Sequence, residues 1–245
     1  MSLLMDVLPT RSDSAAANMA VDFLMLQHYP DPERPRWRHY QWRRPAVTFG
    51  YGQKIAEIRA AWDHNDISTM ELCRRPSGGG IVDHRDDWTY ALVIPRRHDL
   101  GAAPASESYS VIHQVLAEAL QRQNCPAVLQ PMAGEALGSS AKRNVPGPSV
   151  CFTKAEPADV IRAESGRKIA GAAQKRSKRG LLLQGSIARS EVGEIDWDQF
   201  EVDFIAGIAA CMNVDTAYPG WPETWDETVD ALAEDYASEA WLERR

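Results

Sequence analysis

The run Gly78-Gly79-Gly80, led by Arg74-Arg75-Pro76-Ser77 and followed by His84, restricts what the chain around it can become. Three glycines in succession lose too much backbone entropy to lie inside a helix or strand, so the segment is a loop. Short β-type runs surround it at Arg38–Trp42, Val47–Phe49, Ile67–Leu72 and Thr89–Ile94, with turn signals at Arg44-Pro45 and Gly50-Tyr51-Gly52. These runs predict a sheet of meandering strands. Met19, Phe23 and Leu26 recur at helical spacing over residues 14–28, behind a cap at Asp13 or Ser14, and predict a helix packed on that sheet. A second amphipathic helix is expected over residues 107–123, with Val111, Ile112, Val115, Leu116 and Leu120 on one face. Strands are expected at Lys168–Ala173 and Leu181–Ile187, a loop over residues 130–150, and mostly helix from Asp196 onward.

The 245 residues carry no low-complexity linker or internal repeat, so one domain spanning 1–245 is expected. A net charge of -7 disfavours nucleic acid as the main partner, since phosphate binding needs a basic footprint. No apolar run approaches the roughly 18 residues of a membrane span, and Met1–Asp6 lack the basic start of a secretory signal, so a cytoplasmic protein is expected. Cys73, Cys125, Cys151 and Cys211 are widely spaced with no Cys-x-x-Cys pair, which argues against a zinc site or a disulfide framework.

Three constellations carry chemistry. The arginine-led glycine loop, Arg74, Arg75, Ser77, Gly78, Gly79 and Gly80 with His84, can approach a ligand with bare backbone amides. It lacks the Gly-Lys-Ser/Thr of a P-loop and the spacing of a dinucleotide fingerprint, and by itself equally fits a hairpin turn. Lys168 opens a strand whose neighbours Ala170, Gly171, Ala172 and Ala173 are small, leaving room for a ligand beside its ammonium; an isolated lysine is more often a solvated surface group. Cys151 offers a thiol able to hold an acyl group as a thioester, or else a small buried hydrophobe. A basic turn at Lys175–Arg179 is either a docking point for an acidic partner or a solvated hairpin tip.

In order along the chain, Asn18–Asp22, Trp42, Pro45, Val47–Gln53, Arg74–Gly80, His84, Thr89-Tyr90, Cys151-Phe152, Lys168–Gln174 and Gln184–Ile187 resemble the lipoate-protein ligase and octanoyltransferase family, a relative of the biotin protein ligases. The resemblance covers about residues 14–190. It implies an α+β fold, with a central mixed sheet flanked by helices, of the type shared with biotin ligases and class II aminoacyl-tRNA synthetases. It also implies an enzyme attaching an octanoyl or lipoyl group to a lysine of a lipoyl carrier domain or a glycine-cleavage H-type protein. Acyl carrier protein is the donor it suggests. Lys168 would contact the acyl carbonyl, and Cys151 would hold the acyl group as in the cysteine-dependent octanoyltransferases. Arg74, Arg75, Ser77, Gly78, Gly79, Gly80, His84, Gly171, Ala172, Gly185 and Ser186 would line the substrate site. No tightly bound cofactor or metal is expected; octanoate or lipoate is the substrate, and ATP with Mg enters only in the alternative of an adenylate-forming lipoate ligase. A non-catalytic octanoate- or lipoate-binding protein is the third reading. Arg85 and Ala91 depart from the family pattern, which commonly has an acidic residue and a serine there.

Overall fold

The two central strands of the sheet carry consecutive apolar residues, because a strand covered on both faces buries side chains of both orientations. In the computed structural model, which describes residues 3–61, 68–131 and 155–244, these are β7 (Asp87–Pro95) and β11 (Gly180–Ala188). The other strands are β1 (Leu4–Val7), β2 (Arg11–Asp13), β3 (Arg36–Trp42), β4 (Ala46–Phe49), β5 (Glu71–Arg74), β6 (Ile81–Asp83), β8 (Ala127–Leu129), β9 (Val160–Arg162), β10 (Lys168–Ser177) and β12 (Asp215–Ala217). Helices are α1 (Ala15–Gln27), α2 (Ile55–Ala61), α3 (Ala105–Arg122), α4 (Trp197–Met212) and α5 (Trp225–Ala237), with short helical turns such as Glu239–Leu242 between and after them.

The large sheet runs β12-β1-β3-β7-β11-β10-β9-β8, with β2 beside β3. It is mixed: β1 pairs β12 and β3 in parallel, whereas β3, β7, β11, β10, β9 and β8 alternate antiparallel. Trp88, Tyr90, Leu92 and Ile94 point to one face and pack with α3 and α4; Ala91 and Val93 point to the other and pack with α1 and α5. This period of two is what a strand imposes on side-chain direction. A smaller sheet, ordered β5-β4-β6, buries Val47, Phe49 and Ile81 against Ile55 and Ile58 of α2.

The expected α+β class and both amphipathic helices are present, with Ser14 capping α1 through the Ala17 amide at 3.2 Å. The simple meander is not. Neighbours in sequence separate between two sheets, β3 and β7 in the large one and β4, β5 and β6 in the small one, and β5 pairs β4 in parallel. The run expected from Ile67 starts as a strand only at Glu71 and continues through Arg74, so the first arginine of the motif ends a strand instead of opening a loop. The C-terminal part includes β12, whose three residues are too few for a period to register. Much of the 130–150 segment lies outside the described residues.

Asp22 of α1 is fully buried and holds the two halves together. Its carboxylate accepts from Arg38 Nη2 at 2.6 Å, Gln184 Nε2 at 2.6 Å and Tyr40 Oη at 3.3 Å. Arg38 also donates to the Asn18 carbonyl at 2.7 Å, so α1, β3 and β11 share one polar knot. A buried charge stripped of its partner is far more costly than the pair itself is stabilising. Arg38→Met should therefore lower unfolding free energy by about 3–5 kcal/mol, measured as a reduced urea midpoint. A loss below about 1 kcal/mol would show that Asp22 is satisfied without the guanidinium.

Candidate active site

Residues of both sheets line an apolar cavity of about 50 Å³. That is well below the usual volume of a small-molecule site, so side chains must give way to admit a ligand. β3 contributes Tyr40 and Trp42, α1 contributes Met19, and β11 contributes Gln184, Gly185 and Ser186. From the small-sheet side come Thr48, Arg75, Gly79 and His84, and from β10 come Lys168, Gly171, Ala172 and Ala173. Eight of the sequence-derived candidates thus converge: Arg75, Gly79, His84, Lys168, Gly171, Ala172, Gly185 and Ser186.

Arg74 does not line the cavity. Its guanidinium donates to the carbonyls of Tyr51 and Gln53 at 2.6 Å, Leu242 at 2.6 Å and Trp241 at 3.0 Å, stapling the glycine-loop region to the C-terminal helical turn. Arg75 faces the cavity but spends its donors within the protein: Nη1 on Thr48 Oγ1 at 2.8 Å, Nη2 on the carbonyls of Gly78 and Gly80 at 3.0 and 2.8 Å. The loop is therefore folded around a cation that grips its carbonyls, and Gly79 accommodates the bend at φ +88°. Gly78 and Gly80 shape the loop without lining the cavity. Ser77 donates to Gln184 Oε1, joining the loop to the Asp22 knot. Gly185 contributes backbone, and the Tyr90 ring on the opposite face occupies the space a side chain there would take.

His84 is stacked on Trp42 with ring centroids 4.0 Å apart, and both its nitrogens are engaged. Nε2 lies 2.7 Å from Thr48 Oγ1, which also accepts from Arg75, and Nδ1–H donates to Asp87 Oδ2 at 2.6 Å. Thr89 and Ser186 hydroxyls donate to the same carboxylate oxygen.

Lys168 occupies the boundary of the cavity. It also lines a wider, polar cleft with Asp87, Arg167 and Glu191, so its ammonium is shared between an apolar and a charged compartment. Nζ lies 2.8 Å from Asp159 Oδ2, and both side chains are buried. Asp159 in turn accepts from Tyr109 Oη at 2.5 Å. Burial, reinforced by Asp159, pushes the Tyr109 hydroxyl well above its usual range and keeps it a donor. Cys151 lies outside the described residues. Burial pushes the thiols of Cys73 and Cys125 up, that of Cys73 to about 12, so these two are poor nucleophiles at neutral pH, whereas Cys211 is exposed on α4. Among the described residues no group of three or more His, Cys, Asp or Glu has the arrangement of a metal site, and no helix is long and apolar enough to cross a membrane.

The basic turn begins two residues past Ala173, which lines the cavity, and runs away from Lys168. Lys168 starts β10 and Lys178 follows its end, a separation of about 30 Å at the strand rise of roughly 3.3 Å per residue. Arg176 is moreover committed to Ser108 Oγ at 2.7 Å and the Gly101 carbonyl at 3.1 Å. Sequence reasoning passed over Asp22, Trp42 as a stacking partner, Thr48, Asp87, Tyr109, Asp159 and Gln184, whose roles depend on partners distant in the chain.

His39 and His113 lie close to the site and are held neutral. Burial lowers each to about 4 although His39 Nδ1 donates to the Thr89 carbonyl at 2.8 Å and His113 Nδ1 to that of Ala158 at 2.7 Å. Unfolded, both titrate near 6.5, so the unfolded chain binds more protons between about pH 6.5 and 4 and stability falls as pH drops through that window. From pH 7 to 5 the loss should be about 2 kcal/mol per ring, read from urea unfolding. His113→Gln should shallow the decline, and an unaltered slope would exclude that ring as a contributor.

A family model for the lipoyl protein ligase A/B catalytic domain matches residues 14–191. The chain is 33% identical over 180 residues to octanoyltransferase LipM of Brevibacillus brevis, covering 73% of this chain and 63% of that relative. It is 32% identical over 193 residues to octanoyltransferase LipM of Oceanobacillus iheyensis, covering 76% and 64%. The alignments thus span somewhat under two thirds of those relatives' length. In fold it is similar to the bipartite lipoate protein ligase of Thermoplasma acidophilum, solved in a study with its E2 lipoyl domain, at TM-score 0.71 and 16% identity over 100% of this chain and 99% of that one. Lipoate-protein ligase A bound with ATP gives TM-score 0.69 and 18% identity over 99% and 98%. With the model match covering most of the chain, this protein belongs to the lipoyl protein ligase A/B catalytic-domain family.

Proposed function

We propose that the chain is an acyltransferase that moves an octanoyl or lipoyl group to a lysine of a lipoyl carrier domain, with residues 1–245 acting as one catalytic unit. The observation that carries this reading is the placement of Lys168, whose ammonium borders both the apolar cavity and the polar cleft. An acyl chain in the cavity puts its carbonyl at that boundary, where a preorganised ammonium meets the negative charge developing on oxygen. The names of the LipM relatives favour transfer of octanoate over ligation.

In the proposed sequence the Cys151 thiolate attacks the octanoyl thioester of acyl carrier protein, and the carrier thiol leaves. The amine of the target lysine then attacks the acyl-enzyme, the new amide forms, and Cys151 is released as the thiol after proton transfer from nitrogen. The role of Cys151 rests on the sequence resemblance, with Cys73 and Cys125 buried away from solvent. A lipoyl domain or a glycine-cleavage H-type protein supplies the accepting lysine. Arg75, Gly79, His84, Gly171, Ala172, Gly185 and Ser186 form the substrate walls, and Ser77, Gly78 and Gly80 hold the loop in shape.

Incubation with octanoyl-acyl carrier protein and intact-mass measurement should show one added octanoyl group, lost in Cys151→Ser. Transfer persisting in Cys151→Ser would remove the thioester route, and turnover only with free lipoate and ATP would establish the ligase alternative. Lys168→Ala should fold and lose most of its transfer rate. A Cβ on Gly171 would lie 2.7 Å from both Lys168 Cε and Nζ and 2.9 Å from Asp159 Oδ1, so the Lys168–Asp159 pair would have to shift. Gly171→Ala should therefore lower transfer about tenfold or more, in keeping with loss of a charged hydrogen bond of about 1.5–3 kcal/mol, and should also lower the melting temperature because buried Asp159 is left without its cation. Full activity would show that the ammonium need not occupy its observed position.

A further inference from the structure

Lysine is a poor choice for a fixed electrophilic contact, since its four-carbon stem and three equivalent donors carry about 2 kcal/mol of rotamer entropy. In this chain three local features converge on the Lys168 ammonium. The register between β9 and β10 shifts between Lys168 and Ala170, an irregularity that re-aims the side chain. Gly171 leaves empty the space that Lys168 Cε and Nζ and Asp159 Oδ1 fill. Asp159, with a side chain only 1% exposed, places Oδ2 at 2.8 Å from Nζ.

The carboxylate is itself held on two other sides. Tyr109 Oη donates to Oδ1 at 2.5 Å while accepting from the Ala172 amide at 3.0 Å, and the Glu156 amide donates to Oδ2 at 2.6 Å. The tyrosine thus links the carboxylate to the backbone of β10, three residues beyond the bulge and four beyond Lys168 itself. An anion anchored to the same strand as its cation keeps a constant position relative to it. One ammonium N–H points to Asp159, which sets the direction of the other two by tetrahedral geometry.

From this geometry we infer that Asp159, steadied by Tyr109, is the positioning residue for Lys168, aiming the ammonium at a carbonyl oxygen held at the boundary of cavity and cleft. The inference rests on the acyl-transfer reading. A purely structural role is the competing account, since the Glu156 contact also closes the turn that precedes β9. The two differ in whether the effect of Asp159 passes through Lys168.

Octanamide, a neutral ligand with an eight-carbon chain and a carbonyl but no reaction to undergo, serves as probe in calorimetric titrations of the full-length protein. Four forms are compared: wild type, Asp159→Asn, Lys168→Met and the double variant. Lys168→Met should weaken binding about tenfold or more, Asp159→Asn by a similar factor, and the double variant no further than Lys168→Met alone. An equal loss from Asp159→Asn in both backgrounds, or no loss in either, overturns the inference. If Asp159→Asn fails to fold, Tyr109→Phe enters the same cycle, where a few-fold loss that vanishes beside Lys168→Met supports the role and a persistent loss refutes it. Failure of the wild type to bind octanamide would remove the acyl reading, and this inference with it.

Discussion

The polar knot around Asp22 is the constraint on which the site depends. Arg38, Tyr40 and Gln184 all donate to one fully buried carboxylate, and Gln184 passes the connection to Ser77 through its carbonyl oxygen. The helix, two strands of the large sheet and the glycine loop are therefore fixed relative to one another by charge-assisted bonds with direction, which apolar packing alone does not supply. Burying such a pair is seldom a net gain in stability. What it provides here is a single arrangement of the two sheets, and the cavity is the gap between them.

The same economy governs the rest of the cavity wall. Arg75, Thr48, His84 and Asp87 form a chain of donors and acceptors, and Trp42 closes it by stacking on the histidine and donating to Thr89 Oγ1 at 2.9 Å. With most of their polar atoms engaged with one another, arginine, histidine and threonine can line a cavity that remains apolar. Lys168 is the exception, held by a carboxylate but bordering a charged cleft as well. The proposed acyl transfer would use an apolar cavity, a cation at its boundary and a charged cleft beyond.

Local pattern was informative where local physics decides. The helix over 15–27, capped by Ser14, and the amphipathic helix over 105–122 follow from spacing, and the apolar runs around Leu92 and Leu182 follow from burial on both faces. Glycine-rich and small-residue segments pointed to Gly79 and Gly171 because backbone bends and close approaches demand them. The division into two sheets was not legible, since strand partners such as Thr48 with Cys73 are set by tertiary contacts between short runs. Arg74 illustrates the same limit: its neighbour in sequence faces the cavity, while its own guanidinium turns to carbonyls more than 160 residues away.

Residue type and short-range spacing predicted the helices over 15–27 and 105–122 and the glycine loop, while the α+β class and the link between that loop and the distant Lys168 came from the family resemblance. Only the tertiary structure decided which of those residues meet, since hydrogen bonds between Ser77 and Gln184, or Tyr109 and Asp159, join positions with no relation along the chain. It also separated the basic turn from Lys168 by the length of a strand, a distance a linear reading cannot see.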